Sequence, residues 1–249
     1  MNSPDRATRK RAALTDYEAL REHRPELFVN PSGAAFEILL DRADQDRAAD
    51  AMSRVAVAAG LPESVGHIGV VYRDAYFCLV RDAVRFTNGQ LGTYIRIVPA
   101  SVSGGAAVLP LLADGRVVLL RHFRHASRHW HWEIPRGFGG PGEDGAGTAA
   151  RELQEELGVH VTDFTYLGPL SPDTGLRAGV DHLYLAHLGT AELADEPSQD
   201  ARAEGIDAYR AVTQGELRTM VADGEISDAY TLSAYALAMA QGVLKADMG

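Results

Sequence analysis

Residues Gly137 to Val159 read GFGGPGEDGAGTAARELQEELGV, and the rest of the chain is read outward from this stretch. Its first half is a glycine-rich loop and its second half an acidic helix. No helix breaker falls between about Thr148 and Leu157, and Gly158 supplies a C-terminal stop. On that helix Glu152, Glu155 and Glu156 stand at i, i+3 and i+4, so the three carboxylates share one face. Ala149, Leu153 and Leu157 recur at helical spacing on another arc and are expected to pack inward. Like charges this close repel and would destabilise a bare helix, so the pattern calls for a cation among them. Hard oxygen donors suit Mg²⁺ or Mn²⁺, ions that keep several waters and bridge to substrate phosphate. A solvated acidic face is the plain alternative for a lone EELGV.

The spacing argues against that alternative. Gly137 is followed after five residues by Glu143, then after seven by Arg151-Glu152-Leu153, and then by Glu155-Glu156 and Gly158-Val159 at single-residue gaps. This arrangement fills every fixed position of the Nudix box, and the chain resembles the Nudix hydrolase family. The resemblance implies that Glu152, Glu155 and Glu156 are metal ligands, with Mg²⁺ as the cofactor and Mn²⁺ as a substitute. It implies that Glu143 and Arg151 pair to orient the loop against the helix, with Gly137 and Gly158 as structural positions of the box. It also implies an α/β/α sandwich with a mixed sheet, and hydrolysis of a nucleoside diphosphate linked to another group.

Composition sets the bounds. The 249 residues, 46% hydrophobic and 23% charged, are ordinary for a globular protein holding one large domain or a domain with an appended piece. A net charge of −10 argues against broad binding to a nucleic-acid backbone but not against a small phosphorylated substrate. The single cysteine, Cys78, sits among apolar residues, is expected on a buried strand, and fits a reducing compartment. No apolar run is long enough for a membrane span, and the charged start lacks a signal core, so the expectation is a cytoplasmic protein.

Upstream, three regions are expected: a helical extension over 1–65, an antiparallel sheet over 66–104, and the hydrolase domain over 105–249. The basic start, within RATRKRAALTDYEALREHR, is helix-permissive and expected to fray. Residues 42–60 repeat apolar positions at helical spacing and stop at Gly60-Leu61-Pro62. His67–Arg73, Tyr76–Phe86 and Thr93–Val98 have strand character, with a turn at Asn88-Gly89. A sheet ahead of the box is typical of the ADP-ribose pyrophosphatase branch, and the resemblance implies a homodimer.

Ala106–Leu112 and Val117–Phe123 form a hairpin turning at Asp114-Gly115. Next comes RHFRHASRHWHWEIPRGF, residues 121–138, where Arg124, Trp132, Glu133, Pro135 and Gly137 match a pattern of ADP-ribose and nucleotide-sugar pyrophosphatases. Arg121, Arg124, Arg128 and Arg136 are candidates to neutralise a diphosphate. Trp130 or Trp132 is a candidate to stack on a base, against the alternative of a core or interface side chain. Glu133 joins them as a candidate of the same pattern. His122, His125, His129 and His131 lie on strand and loop, where no helical i, i+4 metal pair forms.

Beyond the box, strands are expected at Thr165–Leu170, Asp181–His187 and Ile206–Val212, and helices at Gln214–Ala222 and from about Ser227. The segment after Leu170 departs from the branch: Gly179 stands where a glutamate is usual, and Gly175 is displaced, so a distal group other than ribose is left open. Residues 189–205 are polar and acidic and read as a mobile loop. The resemblance makes Glu204 the general base, with Asp195, Glu196 and Asp200 as competitors. The function expected is Mg-dependent cleavage of ADP-ribose or a nucleotide sugar into a nucleoside monophosphate and a phosphorylated product. A nucleoside triphosphate pyrophosphatase and a non-enzymatic nucleotide-sensing regulator are the alternatives.

Overall fold

In the computed structural model, residues 6–140, 142–189 and 193–244 are described, and they fall into two units. The first comprises the chain up to Ala100 together with Asp173–Ala178. It contains α1 (Arg6–His23), the short strand β1 (Glu37–Ile38), α2 (Arg42–Ala58), β2 (Gly69–Arg73), β3 (Phe77–Arg85) and β4 (Leu91–Pro99). Single 3-10 turns lie at Pro25–Phe28 and Glu63–Gly66. The sheet is antiparallel, with β4 along one edge of β3 and β2 and β1 sharing the other. The basic start that was expected to fray is instead helical from Arg6 in α1, and residues 1–5 lie outside the described residues.

Period-two patterning explains this unit: Cys78, Val80 and Val98 turn inward and meet Tyr17 of α1 and Phe28. One buried network ties these pieces together. The Tyr17 hydroxyl donates to Asp82 Oδ1 at 2.6 Å, and Arg96 Nε donates to Asp82 Oδ2 at 2.7 Å. Arg96 also donates to the Leu27 carbonyl at 2.7 Å. The far edge of β4 is partly covered by the distant segment: Ile97 N donates to the Leu176 carbonyl and Ala178 N to the Ile97 carbonyl, both at 2.8 Å.

The second unit runs over Ser101–Pro172 and Gly179–Gly249. Its strands are β5 (Gly105–Leu112), β6 (Val117–Arg124), β7 (His129–Glu133), β8 (Arg136–Phe138), β9 (Phe164–Leu170), β10 (Asp181–Gly189) and β11 (Ile206–Val212). Its helices are α3 (Gly145–Leu157), α4 (Gln199–Ala203), α5 (Gln214–Ala222) and α6 (Ala229–Ala240). The sheet is mixed: β10 runs parallel to β5, and its other pairings are antiparallel. Alternate residues of the central strands serve two cores. Val108, Val118 and Leu120 meet Ala149, Leu153 and Leu157 of α3, whereas Leu109, Val117 and Leu119 meet Leu217 of α5 and Ala234 of α6. This is the expected α/β layering of helices on both faces of a mixed sheet, preceded by an antiparallel sheet with helices.

β5 and β6 pair at Leu111 and Val117 and then diverge. β7 pairs with β6 and β8 with β5, so the short link Ile134-Pro135 lies in the wedge. Asp144 starts α3 by accepting from Gly147 N, so the helix begins three residues before the sequence suggests, and Gly158 ends it at φ +72°. The stretch 125–138, read as strand and loop, builds β7 and β8 as expected. One further feature differs from expectation. The acidic loop contains α4, because Ser198 caps it and Ala201 is buried against the α3 core. Residues 190–192 of that loop lie outside the described residues. No described helix is long and apolar enough to cross a membrane.

Candidate active site

The α3 face of the wedge gathers ionisable groups from α3, β6, β7 and β8 and a tyrosine from β11. Glu152 and Glu156 project from α3 and are 6% and 2% exposed. Gly137 of β8 leaves room for the Glu152 carboxylate; a Cβ there would meet all three of its terminal atoms. Arg136 donates its backbone N–H to Glu156 Oε2 at 3.1 Å. Tyr209 of β11 donates its hydroxyl to the Glu156 carbonyl. Burial, then the neighbouring Glu152, pushes the Glu156 carboxyl well above the usual range. Burial likewise raises Glu152 to about 7, with Glu155 and Glu204 adding to the shift and Arg151 opposing it.

The sequence called for a cation among the three glutamates, and the Arg151 guanidinium reaches two of them, Glu152 and Glu155. Arg151 NH1 lies 2.7 Å from both Glu152 Oε1 and Glu155 Oε2. Its Nε is 3.1 Å from Glu143 Oε1, and NH2 donates to the Phe138 carbonyl at 2.7 Å. Glu143 in turn accepts from Gly140 N at 2.8 Å. Loop and helix are thus held together through Arg151. The third carboxylate, Glu155, is drawn to Arg151 and half exposed, unlike the buried pair. Among the described residues no three His, Cys, Asp or Glu side chains are grouped as a metal cage.

Opposite α3, the parity of β6 places His122 and Arg124 on the same face as Leu120. Glu133, the partner of Leu120 across β6 and β7, shares that face. Its side chain is 1% exposed and is surrounded by bases: Arg124 in direct contact, His122 Nδ1 at 3.1 Å and Arg136 NH2 at 3.6 Å. Burial alone would raise the Glu133 carboxyl, but His122, Arg124 and Arg136 outweigh it and hold it below the usual range. Arg136 also stacks over the Tyr230 ring at 4.6 Å and lies 3.5 Å from Asp228, the N-cap of α6. Glu133 is therefore buried beneath the arginines rather than exposed beside them.

The two tryptophans are not brought to the carboxylates. Trp132 pairs with Arg121 and packs into the α5 and α6 core, with Arg210 at 6.0 Å from its ring. Trp130, two residues away on the same face of β7, is 47% exposed and lies against Phe123 and Arg121. The histidines disperse: His131 is 2.8 Å from Ser127 Oγ, and His125 is 2.9 Å from Arg128. Glu204 closes α4, is exposed, and lies near enough to Glu152 to raise its carboxyl. With Glu155, Asp200, Gln154, Ser198 and Gly158 it lines a cleft of about 500 Å³. Of its competitors, Glu196 is held by Arg202 at 2.7 Å. Tyr209 was missed in the sequence, and His122 was weighed there only as a metal ligand; its alternation with Arg124 was the available signal for its place beside Glu133.

The donor set fits a hard divalent cation. Glu152 and Glu156 offer oxygen ligands that are buried and mutually repelling, and Gly137 keeps the space they need. Glu155 would join them on release from Arg151.

Comparison with known proteins follows the same lines. The NUDIX domain model matches residues 103–235. The chain is 34% identical, over 45% of its length and 59% of the relative's, to the CMP-5'-(N-acetyl-N-hydroxy-3-aminopropyl)phosphonate hydrolase of Streptomyces rubellomurinus (strain ATCC 31215). It thus spans less than two thirds of that protein. It is 30% identical, over 54% of its length and 70% of the relative's, to the ADP-ribose pyrophosphatase of Bacillus subtilis (strain 168). A solved structure of an ADP compounds hydrolase superposes with a TM-score of 0.56 at 22% identity, covering 68% of this chain and 88% of the other, which shows the shared fold.

Proposed function

Because the chain belongs to the Nudix family, we propose that it hydrolyses the diphosphate bond of a nucleoside diphosphate linked to another group, of the ADP-ribose or nucleotide-sugar kind. The observation that carries this reading is the buried pair Glu152 and Glu156 facing Arg124 across the wedge. Glu152 and Glu156, joined by Glu155, would hold Mg²⁺ or Mn²⁺, whose charge neutralises diphosphate oxygens and makes water a better nucleophile. Arg124 and Arg136, fixed from beneath by Glu133, would orient the diphosphate. Glu204 would take the proton of the attacking water. A new phosphorus–oxygen bond forms as the bridging oxygen leaves, giving a nucleoside monophosphate and a phosphorylated remainder.

The relatives' names support the class: one acts on a CMP-linked phosphonate, the other on ADP-ribose. Gly179, where the branch usually has a glutamate, supports a distal group other than ribose. A homodimer is part of the proposal, checked by light scattering. The decisive test is Mg²⁺-dependent release of nucleoside monophosphate from ADP-ribose, several nucleotide sugars, dinucleotides and triphosphates. Preference for triphosphates over every diphosphate derivative would overturn the substrate class. Tight nucleotide binding without turnover would indicate a sensor instead.

A further inference from the structure

A cleft of about 1040 Å³ lies wholly within the N-terminal unit, between α1, the turn Glu63–Gly66, β2 and β3. That volume suits a small molecule rather than a few waters. Two half-buried cations line it, Lys10 of α1 and Arg81 of β3, and neither forms an ion pair among the described residues. The Arg81 guanidinium is nevertheless anchored: NH1 donates to the Ser64 carbonyl at 3.1 Å and to the His67 carbonyl at 3.0 Å. Its Nε edge has no acceptor among the described residues. Burial lowers its pKa, and no neighbouring acid opposes the shift.

A partly desolvated cation without a counter-charge is costly, so one that is fixed in a cavity marks a place for an anion. A fixed guanidinium edge matches two oxygens of a phosphate, and Lys10 adds a point charge. Pro62, Val65, Ile68 and Val71 give the cleft apolar walls. Asp16 and Glu63 also line the cleft, and with Arg9, Lys10 and Arg81 they leave a small positive excess, which suits one small anion and not an extended polyanion such as a nucleic-acid backbone.

We propose that this cleft is a second ligand site, separate from the α3 carboxylates, that takes a small phosphate monoester with an apolar body. The test uses phenyl phosphate as the probe and calorimetry on the full chain in chelator-treated buffer, with phenylacetate as the carboxylate control. Wild-type protein is expected to bind phenyl phosphate saturably, and phenylacetate more weakly. Lys10→Glu and Arg81→Gln are expected to weaken phenyl phosphate binding about tenfold or more, the size of one charge-assisted hydrogen bond. Lys10→Glu should leave Mg²⁺-dependent hydrolysis and thermal stability unchanged. If Arg81→Gln fails to fold, Lys10→Glu decides alone. Absence of saturable binding, equal binding of phenylacetate, or undiminished affinity in Lys10→Glu would each overturn the proposal. Because the assay contains no metal and reads no turnover, its outcome is independent of the hydrolase reading.

Discussion

Gly137→Ala tests whether the Glu152 carboxylate must lie where it does. Gly137 sits in β8 opposite Ala106, so its backbone cannot shift without disturbing the β5 edge. A Cβ there would stand 2.6 Å from Glu152 Oε2 and closer still to Oε1 and Cδ, against an ordinary contact of 3.4–4 Å. The obstacle is the end of a flexible side chain, so the carboxylate yields and the fold survives, at about 1 kcal/mol of overpacking. The carboxylate must retreat by roughly 1 Å, and a misplacement of that size costs on the order of 100-fold in rate. The assay is initial-rate release of nucleoside monophosphate against MgCl₂ concentration, with thermal melting in parallel. The expected result is a near-wild-type melt, a large loss of kcat and a weakened apparent metal affinity. Gly158→Ala is the matched control: it faces open space at φ +72°. It should cost about 1–2 kcal/mol of stability and leave kcat unchanged. Wild-type kcat and metal dependence in Gly137→Ala would refute the reasoning.

Further outcomes follow from the same geometry. Glu156→Gln should abolish turnover without lowering the melting temperature, since burial already works against the charged form; wild-type-like activity would remove the hydrolase assignment. Glu133 has a depressed pKa in the fold, so its stabilisation is fully present above the unfolded value of 4.5 and is lost as pH falls through the folded value. Urea unfolding of Glu133→Gln should therefore show a flatter pH dependence below that value than wild type, and identical slopes would contradict the buried cluster. Asp82→Asn breaks the pairing with Arg96 and Tyr17 in the N-terminal unit. It should cost about 3–5 kcal/mol, read from the urea midpoint.

What the sequence disclosed depended on how local the information was. α3 was legible because its carboxylates and its apolar arc both follow helical spacing within one stretch. Its guanidinium filling was legible only in part: Arg151 stands at i, i+4 to Glu155, but its added contacts to Glu152 and to Glu143 of the loop follow from no helical spacing. In β7 the order Trp130, Trp132, Glu133 suggested a common substrate-facing group. Strand alternation instead sends the tryptophans to the α5 and α6 side and Glu133 to the α3 side. That assignment requires the pairing of Leu120 with Glu133, a contact between strands. α4 was hidden by its composition: a short polar helix with one buried residue, Ala201, has too little periodicity to read.

The segment Asp173–Ala178 also has a consequence in time. It belongs to the N-terminal unit although it is made long after the rest of that unit. A ribosome that has just added Ala100 has still to add more than 70 residues before Leu176 and Ala178 can bond to Ile97. At roughly 5–20 residues per second this is a delay of several seconds or more. During that delay the outer edge of β4 has no such partner, and exposed strand edges invite pairing with other chains. Nascent chains arrested before Asp173 are expected to be cut by protease near β4 more readily than chains arrested well beyond Ala178. Equal protection in both would mean that the N-terminal unit is complete without its late segment.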